Sequence, residues 1–274
     1  MKNAPGIFLL AAVLAVLPAA SQGGERPVDG IMDNSFLIEE AYNQEAGVVQ
    51  HIWTGLYQVN RLRGTDEKTW EFGFTQEWPM GSQTHQFSYT TPYAFMESDG
   101  ESVNGPGDML LNYRYQAYFD ERTLTAFAPR LSLILPTGDE AFGDDTVGTQ
   151  LNLPFSTTVG DNWFVHANAG TTWLPDAASA NERDLVHFNL GGSVIYAATK
   201  DLHFMVEWIG NWNDQGNGRE FESVISPGAR KAFNFANDSQ LVVGVAAPIG
   251  VTKKSPDFGI FLYCSFEHFF QRKN

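Results

Sequence analysis

The chain has one cysteine, few charged residues and no long apolar run beyond its first twenty or so residues. Cys264 alone cannot form an intramolecular disulfide, although an exported protein could carry one. Charged residues make up 18% of the 274 residues, whereas about a quarter is usual. No later stretch reaches the about 18 apolar residues of a membrane-spanning helix. The sequence therefore excludes a disulfide-stapled domain and a helical membrane protein.

Basic residues are also scarce, since 17 Lys and Arg stand against 32 Asp and Glu and leave a net charge of -15. Nucleic-acid binding needs clustered cations, so nucleic acid is excluded as a partner. The 21 Phe, 9 Tyr and 7 Trp are too many for a disordered chain. The six His lack the spacing of zinc ligands. We expect neither a metal nor a cofactor.

The start of the chain has the pattern of an export signal. Lys2 supplies a positive charge, the stretch from Ile7 to Leu17 is apolar, and small residues up to Ser21 suit cleavage. The alternative is an anchor that is not cleaved. We predict a signal peptide over residues 1–21.

From Gly47 to the end, apolar and polar residues alternate with period two, which predicts β-strands. The polar faces carry Glu, Arg, His and Asn in mid-strand, which suits a wet interior. Aromatic residues lie near both strand ends, as in the girdles of transmembrane barrels, and examples are Trp70, Trp78, Trp163 and Trp173. An exported soluble β-protein, with its apolar face inward, is the alternative.

The connections between these strands alternate in length. Tight turns are predicted at 79–82, 120–122, 160–162, 199–201 and 237–238, and longer loops at 61–67, 96–107, 136–146, 175–183, 213–220 and 250–257. Outer-membrane barrels have short turns at one rim and long loops at the other. We therefore predict an all-β, up-and-down antiparallel transmembrane barrel of about twelve strands over 47–274, with both termini in the periplasm.

Residues 22–46 are predicted to form a periplasmic segment with a short helix over 36–42. Leu37, Ile38, Ala41 and Tyr42 share one face at helical spacing. We expect the side chains of Phe36, Leu37, Ile38 and Tyr42 to contact the barrel mouth as a cap or plug. The alternative is an interfacial helix lying on the membrane.

Several stretches resemble the MetA-pathway of phenol degradation family. They are DNSFLIEEAYNQEAGVVQHI at 33–52, GPGDMLLNYRYQ at 105–116, LPTGD at 135–139 and SPGAR at 226–230. The resemblance covers nearly the whole chain after the signal. It implies an outer-membrane barrel that takes up hydrophobic or aromatic compounds, and it assigns no catalytic residue.

Period two also predicts which charged side chains line the lumen. The candidates are Glu71, Glu77, Arg114, Arg130, His166, His187, Glu207, Glu222, Arg230 and Glu267. Such charges can set the selectivity of a pore. Alternatively, opposite charges pair across the interior and close it, because a twelve-stranded barrel lies between filled barrels and open porins.

Three further features each allow a structural and a functional interpretation. Hairpin register places His166 opposite Ser193 and Ser193 opposite Glu207, but a hydrolase needs the histidine in the middle, so a polar lumen is favoured. The acidic loop of Asp139, Glu140, Asp144 and Asp145 is interpreted as solvated rather than calcium-binding. Cys264 lies on the apolar-facing register and is interpreted as a small hydrophobe.

The sequence thus favours a non-enzymatic channel for passive uptake of small hydrophobic or aromatic solutes across the outer membrane of a Gram-negative cell. A structural or adhesive barrel without transport is the main alternative, and a lipid hydrolase is a weaker one. The expected partners are outer-membrane lipids, lipopolysaccharide, the barrel-assembly machinery and a small hydrophobic solute. The solute and the oligomeric state stay open.

Overall fold

The computed structural model describes residues 35–60 and 67–270. These residues form one antiparallel sheet that closes on itself, because the first strand pairs with both the second and the last. The predicted all-β barrel of twelve strands is confirmed. Within the described ranges no helix is long and apolar enough to cross a membrane.

The strands follow one another around the barrel in chain order. Seven are continuous: β1 (Val48–Asn60), β2 (Glu67–Pro79), β3 (His85–Ser98), β7 (Trp163–Ala177), β8 (Arg183–Thr199), β9 (Leu202–Asp214) and β10 (Arg219–Asn234). The others are β4 (Glu101–Pro106, Met109–Tyr115, Tyr118–Asp120), β5 (Thr125–Phe127, Arg130–Leu135), β6 (Gly148–Asn152, Phe155–Val159), β11 (Gln240–Ala246, Ile249–Gly250) and β12 (Phe258–Phe269).

Three of the interrupted strands break at a proline. Pro129 lies in the break of β5, Pro154 in that of β6 and Pro248 in that of β11. Proline cannot donate to a sheet ladder, so it is placed where pairing is already interrupted. The wall is continuous across these breaks because the segments on either side keep neighbouring partners.

The connections differ from the predicted lengths at one rim. The loop predicted at 96–107 is instead a hairpin: β3 and β4 continue to a two-residue turn at Asp99 and Gly100, both with positive φ. The strands there extend past the region of clean alternation, so composition made them resemble a loop. Long connections remain at 136–147 and 251–257, opposite a rim with turns at 160–162 and 200–201. We call these the loop rim and the turn rim.

The outer surface of the barrel is apolar. Large hydrophobic side chains alternate outward along every long strand, for example Phe204, Val206 and Trp208 on β9, each more than a third exposed. Aromatic pairs lie near both rims, such as Trp163 with Tyr196 at the turn rim and, at the loop rim, Trp212 with Phe221. This distribution suits contact with a bilayer and its two interfaces.

Residues 35–46, here called the inner segment, lie inside the barrel. Their side chains and backbone contact residues of nearly every strand, which is possible only from the lumen. The helix predicted over 36–42 is wrong, because these residues form bends and irregular backbone. Their N–H groups are donated to side chains of the wall rather than to carbonyls of a helix. The predicted signal peptide, residues 1–21, lies outside the described residues.

Candidate functional site: the lumen and its inner segment

The tip of the inner segment is held by an aromatic contact. Phe36 lies 5.4 Å from Phe261 and 5.3 Å from Tyr263, measured between ring centroids. A Cβ atom at Gly228 or Gly244 would collide with the Phe36 ring. Three strands of the wall, β10, β11 and β12, therefore form a recess of the size of this ring.

Beside this recess, Glu207 of β9 binds the backbone of the inner segment. One carboxylate oxygen, Oε1, accepts the N–H groups of Phe36, Leu37 and Ile38 at 2.9, 2.9 and 3.2 Å. The Ser35 hydroxyl donates to the Ser193 hydroxyl at 2.7 Å. A single buried carboxylate thus replaces the missing helical partners of three successive residues.

Arg114 of β4 binds the other side of the inner segment. Its guanidinium donates to the carbonyls of Tyr42 and Glu40 at 2.6 and 3.0 Å, and to the Asn43 side chain at 2.8 Å. It also pairs with Glu39 at 3.3 Å. Only 3% of Arg114 is exposed, so these contacts must replace its hydration.

Glu39 joins the inner segment to a second arginine. Its carboxylate accepts from Arg130 Nε at 2.9 Å and from the Asn152 amide. Burial by itself would raise the pKa of Glu39, but Arg130 and then Arg114 outweigh that effect and hold the pKa below its ordinary value. Glu39 is therefore the charged residue through which β4, β5 and β6 bind the inner segment.

Tyr42 marks where the inner segment leaves the lumen at the turn rim. Its ring meets Phe119 edge-on at 6.3 Å, and its hydroxyl donates to the Leu124 carbonyl. Next to it, the Ala41 N–H donates to Ser156. Phe36, Leu37, Ile38 and Tyr42 therefore all face the barrel interior, deeper than a cap at the mouth would place them.

Above the inner segment, towards the loop rim, lies a cavity of about 400 Å³. Leu37 and Glu39 form its floor. Its walls come from five strands and are mostly uncharged and polar: Arg130, Gln150, Asn152, Asn168, Thr172, His187, Phe188, Asn189, Ile209, Asn211 and Asn213. The lumen is thus filled towards one rim and open towards the other.

The structure brings five of the ten predicted lumen residues to the inner segment or the cavity: Arg114, Arg130, His166, His187 and Glu207. The others lie elsewhere on the wall. Glu267 accepts from Gln50 at 2.8 Å, and Arg230 contacts His203 at 3.2 Å. Glu71 and Glu77 lie on β2, and Glu222 lies on β10.

The row considered for hydrolysis has the expected register. His166 is opposite Ser193, and Ser193 is opposite Glu207. The three side chains nevertheless bond to other partners: His166 to Ser156 at 2.7 Å, Ser193 to Ser35, and Glu207 to the inner segment. Ser193 and Glu207 therefore hold the inner segment in place, and the histidine of the row bonds Ser156 instead of Ser193.

The acidic loop at the loop rim is organised by hydrogen bonds. Asp108 accepts the N–H groups of Gly138 and Asp144, and Asp144 accepts the hydroxyl of Ser179. Among the described residues no group of three or more His, Cys, Asp or Glu converges on one point. Cys264 is a free, half-buried thiol on the outward register.

Sequence reasoning missed Glu39, Gln86 and Ser156, which all bind the inner segment or its partners. Gln86 accepts from the Gln44 N–H at 2.7 Å. Period two places Gln86 and Ser156 on the lumen face, so their position was readable. Their role was not, because it depends on a segment that has no periodic signal of its own.

A closed twelve-stranded barrel with an apolar outer face belongs to the class of outer-membrane β-barrels. Its fold is similar to that of the COG4313 outer membrane channel from Pseudomonas putida F1, with 14% identity, 84% of this chain and 98% of that chain covered, and a TM-score of 0.63. It is also similar to the translocator domain of the autotransporter NalP from Neisseria meningitidis, with 10% identity, 83% and 90% coverage and a TM-score of 0.55. At these identities the likeness concerns the fold.

The family can be stated from the sequence. Residues 24–245 match the family described as "Putative MetA-pathway of phenol degradation". The chain belongs to this family. No curated protein matches it in sequence.

Proposed function

We propose that the chain is an outer-membrane channel for passive uptake of small hydrophobic or aromatic compounds, and that the inner segment is its plug. The observation that supports this most is the manner in which the lumen is closed. The filling is a separate segment attached by hydrogen bonds and one recess, not a set of side chains fixed on the strands. Such a filling can leave without unfolding the wall.

The solute class follows from the family and from the apolar parts of the lumen. The family's description names phenol degradation, which requires an aromatic compound to reach the cell. The recess around Phe36 already accommodates one aromatic ring next to Phe261 and Tyr263. We assign the turn rim to the periplasm and the loop rim to the outside, because short periplasmic turns and long external loops are usual for this class.

The second candidate is a barrel without transport, with a role in envelope structure or adhesion. The dense contacts of Arg114, which hold one half of the lumen closed, favour this alternative. It predicts that the plug never leaves. The lipid hydrolase is not supported by the bonding of Ser193 described above.

Reconstitution of the purified full chain separates the two candidates. In planar bilayers a channel should show discrete conductance steps, and proteoliposomes should take up radiolabelled phenol or toluene faster than empty liposomes. A deletion strain should also grow more slowly when such a compound is the carbon source. Neither conductance nor accelerated uptake in either assay would leave the structural barrel as the better candidate.

A further inference from the structure

The positive charges that face the lumen are paired or buried. Among the residues that the structure describes, the lumen below the loop rim holds three arginines, Arg114, Arg130 and Arg230. Arg114 and Arg130 pair with Glu39 of the inner segment at 3.3 and 2.9 Å. Arg230 is only 1% exposed and contacts His203. The charges of these arginines are therefore compensated by the inner segment or withdrawn from the open part of the lumen.

Glu71 of β2 is a lumen charge in the opposite situation. Its neighbours Trp70 and Phe72 point outward, so Glu71 faces the lumen, and more than a third of it is exposed. It accepts no hydrogen bond and forms no ion pair with any residue that the structure describes. Its carboxylate is therefore a negative charge in contact with the open lumen.

The side chains around Glu71 supply no countercharge. Phe261 of β12 is opposite Leu56 of β1, Leu56 is opposite Glu71, and Glu71 is opposite Ala94 of β3. The ring of Phe261 contacts Phe36, so Glu71 lies at the level of the tip of the inner segment. Small and apolar neighbours thus leave the carboxylate accessible beside the tip.

A second carboxylate faces the same side of the lumen. Ala94 is opposite Gly105 of β4, and a Cβ atom at Gly105 would collide with the carboxylate of Asp139. Asp139 belongs to the long connection at 136–147, which therefore turns this carboxylate into the space left by the glycine. Asp139 is exposed and has no ion-pair partner within the described ranges. Glu71 and Asp139 together are here called the acidic side of the lumen, which is built on β2, β3 and β4.

An uncompensated charge in a narrow passage acts on every ion that passes it. Charges of one sign between low-dielectric walls attract ions of the opposite sign and repel ions of their own sign. We propose that the acidic side selects solutes by charge, so that cations and neutral molecules pass and organic anions such as carboxylates and sulfonates are repelled. Glu71 is the main selecting residue because it lies beside the tip of the inner segment, and Asp139 acts nearer the entrance. The inference rests on the proposed channel function, to which it adds the charge of the permeating solute.

Reversal potentials of the reconstituted full chain test this proposal. The measurement uses planar bilayers with a KCl gradient at about pH 8, where exposed carboxylates are ionised. We expect K⁺ to pass at least about fivefold better than Cl⁻, since one unit charge at about 4 Å has roughly that effect even when it is screened as in water. Equal permeability, or a preference for Cl⁻, would overturn the proposal.

Matched variants assign the selectivity to the acidic side. Glu71→Gln keeps the shape of the side chain and removes its charge, so the ratio of K⁺ to Cl⁻ permeability should fall towards one. Glu71→Lys should reverse the preference, and Asp139→Asn should lower it by a smaller factor than Glu71→Gln does.

Glu97→Gln provides the control, because it removes the same charge from the outer face. Glu97 is exposed near the same rim and pairs with Lys68 at 3.4 Å. The permeability ratio should not change in this variant. Equal effects of Glu71→Gln and Glu97→Gln would mean that Glu71 is not the selecting residue. Heat-modified mobility on gels verifies that each variant is folded.

Ionic strength separates an effect of charge from an effect of pore shape. The screening length falls from about 10 Å at 0.1 M salt to about 3 Å at 1 M. The difference between the unaltered protein and Glu71→Gln should therefore shrink at the higher concentration. A difference of undiminished size would contradict the electrostatic role of Glu71.

Uptake of two impermeant aromatic ions distinguishes failure of this proposal from failure of the channel function. Benzyltrimethylammonium and benzenesulfonate each have one ring and carry permanent charges of opposite sign. Proteoliposomes should take up the cation faster than the anion, and Glu71→Gln should narrow the difference. Equal uptake of both ions would overturn the selection by charge and leave the channel standing. No conductance and no uptake of either ion or of phenol would overturn the channel and its selectivity together.

Discussion

The two halves of the lumen differ in what fills them. Towards the turn rim, the inner segment occupies the interior and supplies hydrogen-bond partners to buried polar groups such as those of Arg114 and Glu207. Towards the loop rim, the same strands enclose a cavity that is lined mostly by uncharged polar side chains. One sheet thus builds a closed half and a receptive half, and the difference is made by a segment that is not part of the sheet.

The polar groups of the two halves of the lumen find their hydrogen-bond partners in different ways. Groups in the filled half gain partners only while the inner segment is bound, so its departure leaves them to be hydrated by water. Groups in the open half can be satisfied by a solute. A solute in the cavity contacts Leu37 and Glu39, and these residues belong to the inner segment itself.

The largest effect is expected when the filling is removed without shortening the chain. Replacing residues 35–44 by a Gly-Ser sequence of equal length deletes the Phe36 contact and the bonds to Glu207 and Arg114. The open fraction should rise about tenfold or more, because each 1.4 kcal/mol of lost closure is a factor of ten. Single-channel recording measures this. An unchanged conductance would mean that the inner segment does not plug the barrel.

A smaller but still large effect is expected from Arg114→Met. The change removes one partner of a buried ion pair, which costs about 3–5 kcal/mol where the other charge stays buried. The ladder that joins β3, β4 and β5 is formed by backbone groups and not by this side chain, so we expect the inner segment to detach while the barrel persists. Limited proteolysis within residues 35–46 should become fast.

Arg122→Met provides the control for this experiment. Arg122 lies in a turn at the same rim and its side chain is 86% exposed, with Asp120 as its partner. Such surface pairs contribute about 0–1 kcal/mol, so neither proteolysis nor conductance should change. Equal effects of the two variants would show that loss of any charge at this rim loosens the segment.

Glu207→Ala should have an intermediate effect. It leaves the N–H groups of Phe36, Leu37 and Ile38 without their acceptor, at about 1–3 kcal/mol for buried groups left unsatisfied. Glu207→Gln keeps an oxygen in place and should restore most of the closure. Single-channel open fraction measures both variants. If the amide is as open as the alanine variant, the carboxylate holds the segment by charge and not by hydrogen bonding.

Most of the barrel wall could be predicted from the sequence, whereas most of what fills the lumen could not. Period two gave the faces of strands such as β3 and even the exact pairing of His166 with Ser193, because alternation is local and hairpins propagate it. The hairpin turning at Asp99 was missed, since strands that leave the bilayer no longer need to alternate. Strand faces can therefore be predicted where the bilayer requires apolar and polar residues to alternate, and not beyond it.

The inner segment shows why the site itself resisted prediction. The apolar spacing from Phe36 to Tyr42 suits a helix, but the acceptor of three of its N–H groups is Glu207, about 170 positions away. Local pattern cannot weigh a partner so distant in sequence. The row formed by Asn152, Asn189 and Asn211 is likewise visible only once four strands are in register.

The smallest expected effect is the pH dependence of the open fraction that arises from the charge of Glu39, which lies between the two halves of the lumen. The pKa of Glu39 is held below its ordinary value of 4.5 while the segment is bound, so the bound state binds protons less readily than the detached one. By linkage, the stabilisation by Glu39 is present above about pH 4.5 and is lost as the pH falls through the lower value. The Glu39 contribution should therefore raise the open fraction as the pH falls below about 4.5. Glu39→Gln should be more open at pH 7 and lack the rise; a rise of the same size in this variant would assign the acid response to other carboxyls of the lumen, such as Glu77.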